Sequence, residues 1–381
     1  MLTKIFSSAA TAAVLTGSLL GQANAADAPA AAPAAPPGPT FTDVLTASGL
    51  TATGYVAASY YHSNGYSTFH QFDNKHDTFQ LDEAALTLAF QPKEGFGALV
   101  DVAAGEDMRV LNGAEQGTAP TGNTFDVVQA FVQYATGPLT IIGGKYVTLA
   151  GAEVIAPTGN TNFSRSLLFY AEPLTHTGIR ATYAVSDTVS LIAGVNNGWN
   201  YTSHLTYSGK TGEFGLGWTP NKIFALTAQA YVGKDPAYDA QRTLVDVVAT
   251  YTATDALSFV LSADTGKQQQ RAGAADLKWS GVAFYTNYAF SDQWRVSVRA
   301  EYLDDKGDKA TGVAWVTGTP EKVKEGTVTF GYAPVKSFEL RMEARYDKSD
   351  KVTFLRSIPA VGPYVYANNQ TGLALQGVFK F

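Results

Sequence analysis

The chain predicts an all-β fold: a transmembrane antiparallel β-barrel of about sixteen strands, with short periplasmic turns and long external loops. Three observations carry that prediction. Polar and apolar residues alternate with period two along many short segments, short and long connections alternate down the chain, and mean hydropathy is close to zero. A membrane barrel shows lipid only every second residue of each strand, so near-neutral hydropathy is what such a barrel displays.

From the N-terminus, Met1 to Ala25 has one cation, Lys4, followed by an apolar and small-residue run that ends in Ala23-Asn24-Ala25. The small-x-small ending reads as a cleaved secretory signal. A spanning helix is the alternative, but the apolar stretch is shorter than the roughly 20 residues a bilayer requires. Ala26 to Pro39 is an Ala/Pro tract, which favours extended geometry and reads as a periplasmic spacer. The remainder, residues 40–381, reads as one barrel domain, with no helix-period stretch longer than a turn or two. After the signal, no run of 18 apolar residues occurs, which excludes a helical membrane protein.

Charge and cysteine narrow the function. The formal net charge is −6, with 27 Lys and Arg against 33 Asp and Glu and no basic cluster, so nucleic acid is not an expected partner. Cysteine is absent, which removes disulfides, thiolate metal sites and a cysteine nucleophile. No cofactor is expected.

Candidate strands begin near Leu50, Thr78, Phe96, Thr124, Pro138, Thr175, Asp187, Thr211, Phe224, Thr243, Leu257, Leu277, Trp294, Val323, Phe338 and Thr371. Each approaches the roughly 9 to 11 residues a tilted strand needs to cross a bilayer. After every even-numbered strand the link is short, as in Thr136-Gly137-Pro138, Ser186-Asp187 and Ser291-Asp292-Gln293. After every odd-numbered strand it is longer and polar, as in His62 to Asp77, Asp107 to Asn123, Val147 to Leu174 and Asp347 to Gln370. Outer-membrane barrels have this asymmetry, and a β-sandwich has no reason for it.

Two strands show the faces plainly. Phe338 to Tyr346 places Phe338, Leu340, Met342, Ala344 and Tyr346 on one side and Glu339, Arg341, Glu343 and Arg345 on the other. Trp294 to Tyr302 repeats the design, with Arg295, Ser297, Arg299 and Glu301 on the polar side. In a barrel the apolar side meets lipid and the charged side meets lumen water. Tyr146, Tyr302 and Tyr346 at one set of strand ends, with Tyr134, Tyr183, Tyr251, Tyr332 and Trp294 at the other, suit two interfacial aromatic belts. The last strand puts Leu373, Leu375, Phe379 and Phe381 on one face and ends on Phe381. A terminal aromatic of this kind resembles the signal read by the outer-membrane barrel assembly machinery.

A sharper likeness lies between Gly143 and Tyr183. The segment GGKYVTLAGAEVI (Gly143 to Ile155), then Asn160, Asn162, SRSLLF (Ser164 to Phe169) and PLTHTGIRATY (Pro173 to Tyr183), resembles the OmpL-like β-barrel outer-membrane porin family. The rest of the chain matches in layout only. The resemblance implies an outer-membrane barrel with a pore function and no defined substrate.

In sixteen-stranded porins the third external loop commonly folds inward, and here the third long connection is Val147 to Leu174. Its Glu153, Arg165 and Glu172 are the candidate constriction residues. Glu153 and Arg165 are expected opposite wall cations drawn from Lys145, Arg180, Arg295, Arg299, Arg341 or Arg345, beside the wall acids Glu301, Glu339 and Glu343. Lateral Glu–Arg pairing that merely braces the wall is the alternative. His62, His70, His76 and His204 fall in expected external loops and only His176 in the wall, and no Ser or Thr beside a His suggests a hydrolase. A metal held by His62, His70 and His76 would need the loop to fold on itself.

The sequence therefore points to a passive porin in the outer membrane of a Gram-negative bacterium. Its partners would be outer-membrane lipid, the barrel assembly machinery and small polar solutes, with a homotrimer compatible. The rival readings are a plugged barrel with a structural or adhesive role and a soluble secreted β-protein.

Overall fold

The computed structural model describes residues 47–381 apart from 67–68, 117–121, 204–208, 236–239, 270–274, 307–319 and 360–361. The expected signal and spacer, and His204, lie outside the described residues. The strands are β1 (Thr51–Ser63), β2 (Thr78–Phe90), β3 (Gly95–Ala104), β4 (Phe125–Thr136), β5 (Leu139–Val147) and β6 (Thr175–Ala184). They continue with β7 (Val189–Asn196), β8 (Thr211–Trp218), β9 (Phe224–Asp235), β10 (Ala240–Thr252), β11 (Leu257–Gln268) and β12 (Leu277–Ala289). The last are β13 (Trp294–Asp305), β14 (Glu321–Val335), β15 (Phe338–Ser349), β16 (Phe354–Ser357), β17 (Val365–Ala367) and β18 (Asn369–Lys380).

Strands β1 to β15 and β18 form a closed barrel of 16 antiparallel strands, each paired with its neighbours in sequence. The β16–β17 hairpin stands apart from this sheet, so β15 pairs with β18. Closure joins β1 to β18 from Tyr55 opposite Lys380 to Ser63 opposite Gly372. The C-terminal Phe381 extends the seam, donating from its N–H to Gly54 O at 2.9 Å and accepting from Gly54 N at 3.0 Å. Its ring lies across Gly54, where a Cβ would sit 2.5 Å from the ring. Closure removes the unpaired edge that lipid would leave unsatisfied.

Alternation explains the strands, and exposure says which solvent each face meets. On β14, Phe330 is 45% exposed while the adjacent Thr329 is fully buried. On β15, Met342 is exposed and its neighbours Arg341 and Glu343 are buried. Apolar residues outside and charged residues inside invert the order of a soluble protein, and an outer band of exposed Val, Leu, Ile and Phe fits only a hydrocarbon surround. At the end bearing the short turns, Trp294 stacks on Tyr332 at 4.4 Å, Phe96 tilts against Tyr134 at 4.9 Å and Trp218 meets Phe224 edge-on at 5.6 Å. No helix among the described residues is long and apolar enough to cross a membrane.

All sixteen barrel strands begin within three residues of their sequence-derived starts. Four details differ from expectation. First, β9 ends at Asp235 and β10 begins at Ala240, so this odd-numbered connection is as short as the turns, because β9–β10 pairing runs out to Asp235 opposite Ala240. Second, the β3–β4 connection contains a helix, Glu106–Gln116. Only Met108 and Leu111, spaced i, i+3, anchor it by full burial, too few apolar positions to leave a helical period in the sequence. Third, Tyr146 is 1% exposed and belongs to the interior, with the Arg180 guanidinium 4.1 Å over its ring. Gly144 at φ +141° sits just before it, and β5 shows no alternation of burial there. Fourth, His62 lies on β1, which runs to Ser63.

The inner wall is not uniformly polar. Leu244, Leu277, Trp279, Leu303 and Val323 are buried in a cluster with Leu167 and Leu168 of the β5–β6 connection and Phe69 of the β1–β2 connection. Two external connections thus reach inside and hold on by apolar burial, each full leucine burial contributing about 1.5–3 kcal/mol.

Candidate functional site: the lumen and its inward loop

The loop of residues 148–174 is shaped first by its own polar groups. Asn160 accepts from Val154 N at 2.9 Å and donates to the carbonyls of Val154 (2.8 Å) and Ala156 (2.9 Å). Arg165 donates to the carbonyls of Val154 and Phe163, each at 2.9 Å, and of Ile155. Glu153 accepts from Ser166 N at 2.6 Å, and the Ser166 hydroxyl caps the one-turn helix Leu167–Tyr170 by accepting from Phe169 N. Two side chains thereby satisfy the carbonyls of a tight turn that would otherwise be buried unpaired.

The shaped loop then docks on β13, β14 and β15. Arg299, fully buried, donates to Glu153 Oε1 at 2.8 Å and to Ser164 O at 2.8 Å, and pairs with Glu301 (2.9 Å) and Glu325 (3.2 Å) on the wall. Glu343 accepts from Phe163 N (2.7 Å) and Ser164 N (2.9 Å), and Glu301 from Leu167 N (2.9 Å). Arg345 donates to Arg165 O at 2.7 Å, Arg341 to Pro157 O at 3.0 Å and Arg295 to Thr161 O at 2.7 Å. Arg295 and Arg341 also share Glu339, at 2.6 and 2.8 Å.

The expected residues therefore meet in part. Glu153 is brought onto a wall cation, in direct contact rather than across a gap. Arg165 reaches Arg299 and Arg345 only through its carbonyl oxygen. Its guanidinium is drawn into the loop by three carbonyl acceptors and lies over Phe72 and Phe169, at 5.3 and 5.8 Å. Lys145 and Arg180 are engaged away from the loop acids, Lys145 by Asp126 (2.9 Å) and Glu115, Arg180 by Glu213 (2.7 Å). Among the described residues Glu172 faces no cation. It lies with Asp246 of β10 and Asp264 of β11, their carboxyl oxygens within 4.8 Å of one another. Burial, and then the charge of Asp246, holds the Glu172 carboxyl well above the usual carboxylate range.

His62, His70 and His76 do not converge. His62 and His76 both contact Asp77, at 2.5 and 2.8 Å. His70 is buried apart from them against Asp73, Asp347 (3.4 Å) and Gln370 (2.5 Å). His176 on β6 is buried with its ring stacked on Tyr231, centroids 4.8 Å apart. Phe379 and Phe381 are exposed on the outer face at the closure seam. Sequence reasoning missed Glu325, Asp347, Asp246 and Asp264. For Glu325 the signal was present, since EKVKEGTVTF alternates and puts Glu325, Thr327 and Thr329 on one face.

Below the loop tip two cavities open, of 310 and 520 Å³. Thr158, Lys336, Ser337 and Lys380 line both. The first is bounded by Arg295, Glu339 and Arg341, the second by Tyr55, Thr87 and Asp101 of the adjoining strands β1 to β3.

No curated protein matches this sequence. Among solved structures the fold is similar to in-vitro folded OmpT, an outer membrane protein of Vibrio cholerae, at 11% identity and TM-score 0.60 over 87% of this chain and 97% of that one. It is similar to OprB of Pseudomonas putida at 12% identity and TM-score 0.58, over 90% and 96% of the two chains. The anion-selective porin from Comamonas acidovorans gives 12% identity and TM-score 0.57, over 87% and 99%. These likenesses concern the fold. The family model described as "Putative beta-barrel porin-2, OmpL-like" matches residues 49–381. A barrel with an apolar outer band and a polar interior, matched over nearly its whole length by that model, is an outer-membrane protein of a Gram-negative bacterium, and the chain belongs to the OmpL-like beta-barrel porin-2 family.

Proposed function

We propose that this protein is a passive channel for small hydrophilic solutes or ions, narrowed by the loop of residues 148–174. The observation that carries the reading is a barrel interior in which one loop is held to the wall by ion pairs, hydrogen bonds and apolar packing, with two cavities that share lining residues below its tip. Glu153 and Arg165 set the loop's shape and seat, Glu172 closes its other flank, and Arg295, Arg299, Glu301, Glu339, Arg341, Glu343 and Arg345 form the docking wall. Lys145 and Arg180 brace the wall beyond it. No catalytic role belongs to this reading. Phe379 and Phe381 suit recognition by the barrel assembly machinery, and a homotrimer is compatible with the outer face.

A second reading is favoured by the burial of inner-wall residues on the external half of β10 to β15 under loop segments: a plugged barrel with a structural or surface-binding role. Planar-bilayer recording of the detergent-refolded protein separates them. Stable stepwise openings are expected. Absence of conductance from a barrel that migrates as folded would overturn the channel and leave the plug.

A further inference from the structure

We infer that the space beneath the loop tip is an anion-binding vestibule, so that small anions such as chloride, carboxylates or phosphate are the solutes this channel favours. The inference rests on the channel reading and adds the class of solute.

Four cations and two acids border the connected cavities. Arg295 and Arg341 share Glu339, so this trio carries one net positive charge. Both guanidiniums also donate to the loop backbone, at Thr161 O and Pro157 O, which fixes them in place. Lys380, on the inner face at the end of β18, and Lys336, in the β14–β15 turn, line both cavities and make no ion pair among the described residues. Three strands along the wall from Lys380, on β3, stands Asp101, already accepting from Thr87 at 3.0 Å. The balance is two net positive charges, and it sits at the two cavities.

The external half contrasts with this. There Arg299 and Arg345 are neutralised by Glu153, Glu301, Glu325 and Asp347 and are buried under the loop, out of reach of a solute. Thr158 and Ser337, both lining the two cavities, add hydroxyls that can donate to an oxyanion without adding charge. One unpaired charge about 7 Å from a monovalent ion in water-like dielectric changes its local concentration about threefold. Two free lysines in a narrow path therefore suffice for a clear preference.

The test is the reversal potential of the mature barrel in a planar bilayer under a KCl gradient. A chloride-to-potassium permeability ratio of about three or more is expected. The folded double variant Lys336→Gln/Lys380→Gln should lower that ratio at least about threefold. Inorganic phosphate added to the wild type should reduce the chloride current and leave the double variant's unchanged. Cation preference in the wild type, or an unaltered ratio in the folded variant, overturns the vestibule while leaving the channel standing. A folded barrel that conducts nothing overturns the channel instead. Phosphorus NMR of phosphate with the detergent-folded protein then decides the site alone: line broadening lost in the double variant supports it, and no broadening overturns it.

Discussion

The two flanks of the inward loop meet the barrel wall by opposite electrostatic logic. Toward β13 to β15, acids meet bases: Glu153 on Arg299, wall carboxylates on loop N–H groups, and wall guanidiniums on loop carbonyls. Toward β10 and β11, acid meets acid, with Glu172 against Asp246 and Asp264. A buried charge pair holds by completing every partner, and removing one member leaves the others uncompensated. Buried carboxyls without a cation stay together only as long as they share protons. The first flank is thus a fixed anchor, and the second is a contact whose strength follows pH.

The largest effect that would break this contrast is at Arg299. Arg299→Met leaves Glu153, Glu301 and Glu325 buried without their shared cation, and a loss of about 3–5 kcal/mol is expected. Denaturant unfolding, followed by heat-modifiable migration, measures it. Adding Glu153→Gln should recover part of the loss. Stability unchanged to within about 1 kcal/mol would show that the anchor is not electrostatic.

The anchor also has an apolar part, and glycine makes room for it. A Cβ at Gly281 on β12 would sit 2.4 Å from Leu168 Cδ2 and 3.2 Å from Leu303 Cδ1. Gly281→Val should therefore push the loop outward and lower stability by about 1–3 kcal/mol. Leu168→Ala in the same chain should relieve the loop's part of the clash, leaving the 3.0 Å approach to Tyr302 O, while giving up Leu168's own burial, so the two changes should be non-additive. Simple additivity in the double-mutant cycle would mean that Leu168 does not seat against Gly281.

How legible each flank was in the sequence follows from the distance over which its physics acts. Strand starts, faces and the aromatic end of β18 are written in adjacent residues, because lipid and lumen act on each strand locally. The Glu153–Arg299 contact was legible as a class, acid of the third long loop against a cation of the wall, and the particular arginine was not, since 146 residues separate the pair. Arg165 turned inward because three backbone carbonyls outbid the wall for its guanidinium, and carbonyls leave no trace in a sequence. The acid-on-acid flank was hidden for a further reason. Asp246 and Asp264 each lie on a regular alternating strand, and only the register that sets them opposite each other, together with the loop's return path, brings Glu172 to them.

That hidden flank supplies the smallest and most diagnostic prediction. The Glu172 carboxyl is held above its ordinary range by burial and by Asp246, so it binds its proton more tightly docked than free. Docking on this side is then fully strengthened below the ordinary carboxylate range and weakens as pH rises through the elevated value, the reverse of an ion-paired carboxylate. The chain has no cysteine, so a single Cys placed at Ala152 carries one spin label without further engineering. Label mobility in the wild-type background should increase on raising the pH from acid to neutral. Glu172→Gln, which keeps the shape and removes one of the three carboxyls, should flatten the label's pH response, leaving what Asp246 and Asp264 contribute, while Arg299→Met should raise mobility at every pH. Equal pH dependence with and without Glu172 would mean that the second flank is held by packing, and the contrast between the two sides of the loop would reduce to one of charge number.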